Sequence, residues 1–129
     1  MVCLIALFCV LSRLVFYEKE SFKKKGEKNM VKHMILWKVK EEISAEEKEK
    51  IKEGVKSGLE GLKDKVPGIV EIRVQTEALA SSNADLMLDS LFESEEALKN
   101  YATHPAHVEV ANTAVRPYME QRLCLDFTV

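Results

Sequence analysis

The chain is short of the residues that define several protein classes. It has three cysteines, three prolines and five glycines in 129 residues. So little Gly and Pro excludes a collagenous chain, and 31% charged with 47% hydrophobic residues argues against disorder. Cys3, Cys9 and Cys124 are odd in number and badly spaced, so they supply neither a disulfide framework nor a zinc ligand set. A reducing, cytoplasmic setting is the simpler expectation. The formal net charge of −2 lacks the basic excess of a nucleic-acid binder, so none is expected as a partner. What remains is enough chain for one domain and not comfortably for two.

Charge divides the chain at about residue 29. Residues 1–29 carry six Lys/Arg against three Glu, a net of +3, and residues 30–129 carry 13 against 18, a net of −5. The leader opens with an apolar run of 17 residues, Met1 to Tyr17, with Arg13 inside it. A signal peptide has its basic residues before the apolar run and a small-residue cleavage site after it. Here the lysines follow the run. A membrane span needs about 20 apolar residues, so residues 1–17 make a short anchor at best, with the domain on the cytoplasmic side. Another reading is that the leader is untranslated. Lys25-Gly26-Glu27-Lys28-Asn29-Met30 can be encoded with AAGGAG, a bacterial ribosome-binding sequence, at a usable distance before the Met30 codon. Periodic sequence also begins at Met30. The expectation is a start at Met30, with membrane attachment only if residues 1–29 are made and kept. The codons decide it: the idea loses its basis unless Gly26-Glu27 is written GGA-GA(A/G).

From Met30 onward the periodicities alternate between two and 3.6 residues. Val31, His33, Ile35, Trp37 and Val39 form one face of a strand. Ser44-Ala45-Glu46-Glu47 reads as a capping box. Ile51, Val55, Leu59, Leu62 and Val66 then mark an amphipathic helix, ended by Pro67-Gly68. Gly54, Gly58 and Gly61 weaken that helix, for close packing or merely as tolerated residues. Val70, Ile72 and Val74 give a second strand, and Asp85 to Glu93 a third. Ser94 caps a short helix to about Ala102, and Pro105 opens another running toward Arg116, broken at Pro117. Arg122 to Val129 alternates as a last strand, read with Leu123, Leu125, Phe127 and Val129 inward and Arg122, Cys124 and Asp126 outward.

The order β-α-β-β-α-β predicts an α+β, ferredoxin-like subunit with a four-stranded antiparallel sheet and both helices on one face. The other face keeps Met34, Leu36, Met87, Leu91 and Cys124 exposed. Apolar area on that scale marks an interface, so a homodimer joined sheet to sheet is expected.

Chemistry concentrates in Tyr101-Ala102-Thr103-His104-Pro105-Ala106-His107, which holds two of the three histidines. An imidazole titrating near neutrality can act as a base, and a Tyr hydroxyl can donate to a developing oxyanion. Tyr101 and His107 are the candidate catalytic pair. His33, Ile35 and Trp37, on the helix-facing side of the first strand, and His104 are candidate substrate contacts. Each has a plainer reading: His104 as a helix cap, His107 and His33 as satisfied core histidines, Trp37 as core. The His104/His107 pair lacks an evident acidic third ligand, so no metal is expected.

Met30-Val31-Lys32-His33, Val66-Pro67-Gly68, Phe92-Glu93-Ser94, the run Tyr101 to His107 and the closing Leu125-Asp126-Phe127 together resemble the stress-responsive A/B barrel domain family. The resemblance covers residues 30–129 and is most specific at His-Pro-Ala-His with its preceding Tyr. It implies a dimeric α+β barrel. It implies no single activity: many members have no assigned reaction, and a plant branch includes a polyketide cyclase that uses no cofactor. That enzyme's catalytic Tyr and His fall on Tyr101 and His107, as hydroxyl donor and general base, and a pocket His falls on His33. Leu86 stands where the cyclase has a further pocket His. Arg116-Pro117-Tyr118 replaces its bulky aromatic pair. Two functional expectations follow. The first is a dimeric barrel binding a small aromatic or carbonyl ligand, with no assigned activity. The second is a cofactor-independent cyclase or related lyase/isomerase.

Overall fold

The computed structural model describes residues 29–129. The leader, with its anchor and start-site readings and with Cys3 and Cys9, lies outside the described residues. Among the described residues, no helix is long and apolar enough to cross a membrane.

Strand β1 (Val31–Val39) buries every second residue, because an extended chain turns successive side chains to opposite faces. Helix α1 (Ala45–Glu60) begins at Ser44, whose hydroxyl accepts the Glu47 amide at 3.2 Å. It tightens into a 3-10 turn over Gly61–Asp64. Val55, Leu59, Leu62 and Val66 are buried, as their spacing predicts. Gly68 has φ +91°, and a Cβ there would lie 2.6 Å from the Ala97 Cβ, so both the turn and its packing require glycine.

Strands β2 (Ile69–Gln75) and β3 (Leu86–Phe92) follow. Helix α2 (Glu95–Thr103) is capped by the Ser94 hydroxyl, which accepts the Ala97 amide at 3.1 Å. Helix α3 (Pro105–Val110) widens into a π turn over Ala111–Val115 and a 3-10 turn over Arg116–Tyr118 before β4 (Met119–Thr128). The segment after Pro105 is therefore helical to Tyr118, but α-helical only to Val110. The sheet order is β2-β3-β1-β4, with every pair antiparallel. This is the predicted ferredoxin-like α+β plan, its second helix in two pieces.

One face assignment is overturned. Opposed residues of an antiparallel pair project to the same side. His33 pairs with Asp126, Ile35 with Cys124 and Trp37 with Arg122. Arg122, Cys124 and Asp126 therefore stand on the helix side, and Leu123, Leu125 and Phe127 on the open face. Alternation in β4 separates two faces but does not say which one this chain's helices cover. The open face thus carries Leu36, Leu123, Leu125 and Phe127 at 41%, 58%, 63% and 43% exposure, and Cys124 is not part of it.

The three α1 glycines separate cleanly. A Cβ on Gly58 would lie 2.9 Å from Val110 Cγ1, whereas one on Gly54 or Gly61 meets nothing within 4 Å. Gly54→Ala is expected to stabilise the fold by about 0.5–1 kcal/mol through helix propensity. Gly58→Ala is expected to destabilise it by about 1 kcal/mol, because β-branched Val110 has no slack with which to retreat. Urea unfolding of the two variants checks the opposite signs.

Candidate functional site

A cavity of about 490 Å³ lies between the helices and the helix-facing side of the sheet. β1 and β3 supply His33, Ile35, Trp37 and Leu88; α1 and α2 supply Leu59, Leu98 and Tyr101. The π turn adds a residue to the helical turn and brings Ala111 and Val115 to the wall, a use such turns often have at functional sites. Arg116, Glu120, Gln121 and Arg122, all exposed, form its open end.

Tyr101 is 1% exposed, and its hydroxyl has no hydrogen-bond partner among the described residues. An unmet buried hydroxyl costs about 1–3 kcal/mol, so it is rare without a reason. Its ring packs on His107 at 4.2 Å between centroids and on Phe92 at 4.8 Å. Burial raises its pKa above the usual phenol value, against the opposing charge of Arg122, so at neutral pH it is a hydrogen-bond donor.

His107 is half-buried. Its Nδ1 lies 3.2 Å from the Ala102 carbonyl oxygen. A carbonyl only accepts, so Nδ1 carries the proton and Nε2 of the neutral ring keeps its lone pair. Burial lowers the His107 pKa; the Ala102 bond opposes this, and Arg116, His33 and Arg122 add to it. The ring is thus a neutral base at pH 7.

His33 stands on the opposite wall. Its Nδ1 donates to Asp126 Oδ1 at 2.5 Å, and the Cys124 thiol donates to the same oxygen at 3.5 Å. Partial burial, then the Asp126 carboxylate, raises the Cys124 pKa, so it is a thiol and not a nucleophile. Donor atoms of His33, Cys124 and Asp126 lie within 4.8 Å of one another. Two ligands on a tetrahedral zinc stand about 3.3 Å apart. The 2.5 Å contact is instead a hydrogen bond, and the group as it stands is a hydrogen-bonded cluster.

The structure therefore brings Tyr101, His107, His33, Ile35 and Trp37 to one cavity, and leaves His104 off its wall. His104 caps α3, its Nδ1 accepting the Ala106 amide at 3.1 Å. His104→Ala is expected to cost about 1 kcal/mol, and His104→Asn to restore most of it, since Asn can cap in the same way. Thermal denaturation of the two variants measures this. Arg116, Arg122 and Asp126 were not candidates on sequence. The signal for Arg122 and Asp126 lay in the β1–β4 register, which sets them opposite Trp37 and His33.

The comparisons agree with this fold. The family model for the stress-responsive A/B barrel domain matches residues 31–129. A dimeric protein of unknown function with a ferredoxin-like fold, from Bacteroides fragilis, is 31% identical, covering 78% of this chain and 96% of its own at a TM-score of 0.74. A protein from Arabidopsis thaliana is 26% identical over 75% of this chain and 92% of its own, at a TM-score of 0.59. The hydroxynitrile lyase of Passiflora edulis shares the fold at 18% identity, covering 78% of this chain and 94% of its own with a TM-score of 0.62. No curated protein matches the sequence. With the sheet order, the Tyr101–His107 segment and the family match in agreement, the chain belongs to the stress-responsive A/B barrel domain family.

Proposed function

We propose that the chain forms a homodimer through its open sheet face, and that each subunit binds a small carbonyl or aromatic compound in its own cavity. There it carries out cofactor-independent proton transfer of the lyase or isomerase kind. The observation that carries this is Tyr101, which lines a cavity that His107 shares and whose buried hydroxyl has no partner among the described residues. A ligand carbonyl oxygen would satisfy that hydroxyl. Nε2 of His107 would remove a proton from the carbon beside the carbonyl. The electrons of that C–H bond move onto the oxygen, where Tyr101 donates a hydrogen bond to the enolate. The imidazolium then returns the proton to another atom of the substrate. A single donor aimed at an oxyanion contributes about 10²–10³ in rate, and a placed base about 10²–10⁴. Ile35, Trp37, Leu88 and Leu98 give the apolar walls usual for small-molecule sites.

Dimerisation rests on the apolar open face and on the dimeric state of the Bacteroides relative. Binding without turnover, the reading that the sequence puts first, is favoured by one contact, the bond that ties His107 Nδ1 to its own backbone.

A thermal-shift panel of aromatic acids, phenols and β-keto compounds tests the site, followed by turnover assays on whatever binds. Ligands raise the midpoint of the state they bind. The expected result is a shift that shrinks in His107→Ala, with turnover lost by about 10²-fold or more. Burial lowers the His107 pKa, so turnover should persist below pH 6.5, the ordinary imidazole value, and fall only as the ring protonates. Shifts that are unchanged in His107→Ala would remove this reading.

A further inference from the structure

The domain is acidic and the open end of its cavity is not. Residues 30–129 carry 18 acidic against 13 basic side chains, yet Arg116 and Arg122 both lie at the exposed end of the wall. Glu120 is the carboxylate on the same wall, and its charge acts on Lys38. Asp126 stands behind, hydrogen-bonded to His33. Arg116 is held by Asn112 at 2.6 Å, a neutral partner that leaves its charge uncompensated. Among the described residues Arg122 forms no ion pair, and its polar neighbour is the Cys124 thiol.

We propose that the cavity takes a small organic anion: a carbonyl compound whose carboxylate is held by Arg122, with Arg116 beside it, while its carbonyl oxygen meets the Tyr101 hydroxyl. The proposal rests on the reading of this cavity as the functional site and names the ligand class. Three features carry it. The first is the pair of guanidinium groups at the mouth, whose fork geometry suits carboxylates. The second is the buried hydroxyl of cavity-lining Tyr101, without a partner among the described residues, which calls for an acceptor. The third is placement: Arg122 lines the same cavity as Tyr101 and His107, so an anion seated on it shares that space with the reacting pair. The body of the ligand would lie against Ile35, Trp37, Leu88 and Leu98, which points to an aryl or short alkyl keto acid. A positive mouth in an acidic domain would also draw anions past the surrounding surface.

Calorimetric titration of the full chain with freshly prepared benzoylacetate and with its methyl ester is the test. The two probes share a ring and a ketone and differ in one charge. The wild type is expected to bind the acid about tenfold or more tightly than the ester, as for a hydrogen bond to a charged group, with the preference shrinking in high salt. Arg122→Leu should abolish that preference and leave ester affinity within about twofold; Arg122→Lys should keep part of it. Equal affinity of the wild type for acid and ester would overturn the anion proposal and leave the site standing. So would a preference that survives in Arg122→Leu. Loss of ester binding in Arg122→Leu would signal misfolding, and Arg122→Gln would then be measured in its place. Binding of neither probe to the wild type would overturn the site reading, and this proposal with it.

Discussion

Replacing Tyr101 by Phe is expected to stabilise the protein while removing its function. The hydroxyl is buried without a partner, so its loss relieves an unmet desolvation cost of about 1–3 kcal/mol. The ring contacts to His107 and Phe92 are left in place. Some of that gain is lost to the small void that the oxygen leaves. A net rise of about 1 kcal/mol is the expected outcome, roughly 4–8 °C in midpoint for a domain of this size. Ligand-induced shifts should shrink in the same variant, and turnover should fall by about 10²-fold, as for loss of an oxyanion donor. The paired signs make the test sharp. A structural tyrosine hydroxyl would lose stability when deleted, because its hydrogen bond would go with it. A melt of the variant with and without ligand, beside an activity assay, separates the cases. A destabilised Tyr101→Phe that still binds and turns over would sink the functional assignment.

The same residue shows how far the sequence could be read. The type and spacing of Tyr101 and His107 are visible in the chain. So is the alternation that sets His33, Ile35 and Trp37 on one face of β1. Local patterns carry this information, since periods of two and 3.6 residues reflect what each segment buries. The caps at Ser44 and Ser94 were equally local. The error came where local pattern meets tertiary pairing. β4 alternates leucine and phenylalanine with arginine, cysteine and aspartate, and burial within one chain would put the apolar set inward. Instead it turns outward, and of the polar set Arg122 lines the cavity opposite Trp37 while Asp126 pairs with His33. The fold, and the meeting of Tyr101 and His107 at one cavity, were therefore legible. The polar end of the site was not, because its residues come from a strand whose orientation is set by pairing with β1 and leaves the leucines for a second surface. The orphaned state of the Tyr101 hydroxyl was hidden for a similar reason: it depends on what fails to surround it.

That second surface supports the other large prediction. Leu125→Glu is expected to convert a dimer into a folded monomer. Leu36, Leu123, Leu125 and Phe127 lie exposed on one face of β1 and β4, with Met34 and Leu91 on the same side. The β2 side of this face is polar, with Glu71, Arg73 and Gln75, so the apolar area is bounded rather than diffuse. A two-fold interface uses each residue twice. Burying one leucine is worth about 1.5–3 kcal/mol, so losing two contacts costs about 3–6 kcal/mol, before the cost of burying a carboxylate is added. A rise in Kd of about 10²–10⁴ or more follows. Light scattering behind size exclusion should give the wild type at twice the 14.7 kDa chain mass, and Leu125→Glu at once that mass with unchanged circular dichroism. Arg73→Glu, on the polar margin, should leave the dimer intact. A wild-type monomer at micromolar concentration would remove the sheet-to-sheet dimer. The cavity gives the monomer a further use. Its lining lies on the opposite side of the sheet from the apolar face. A Leu125→Glu monomer should therefore keep the ligand shift of the wild type. Retention would assign the sheet face to assembly and the cavity to chemistry, as two independent surfaces of one sheet. Loss of binding on dissociation would mean that the second subunit shapes the site, and the assignment of the cavity to a single chain would have to be given up.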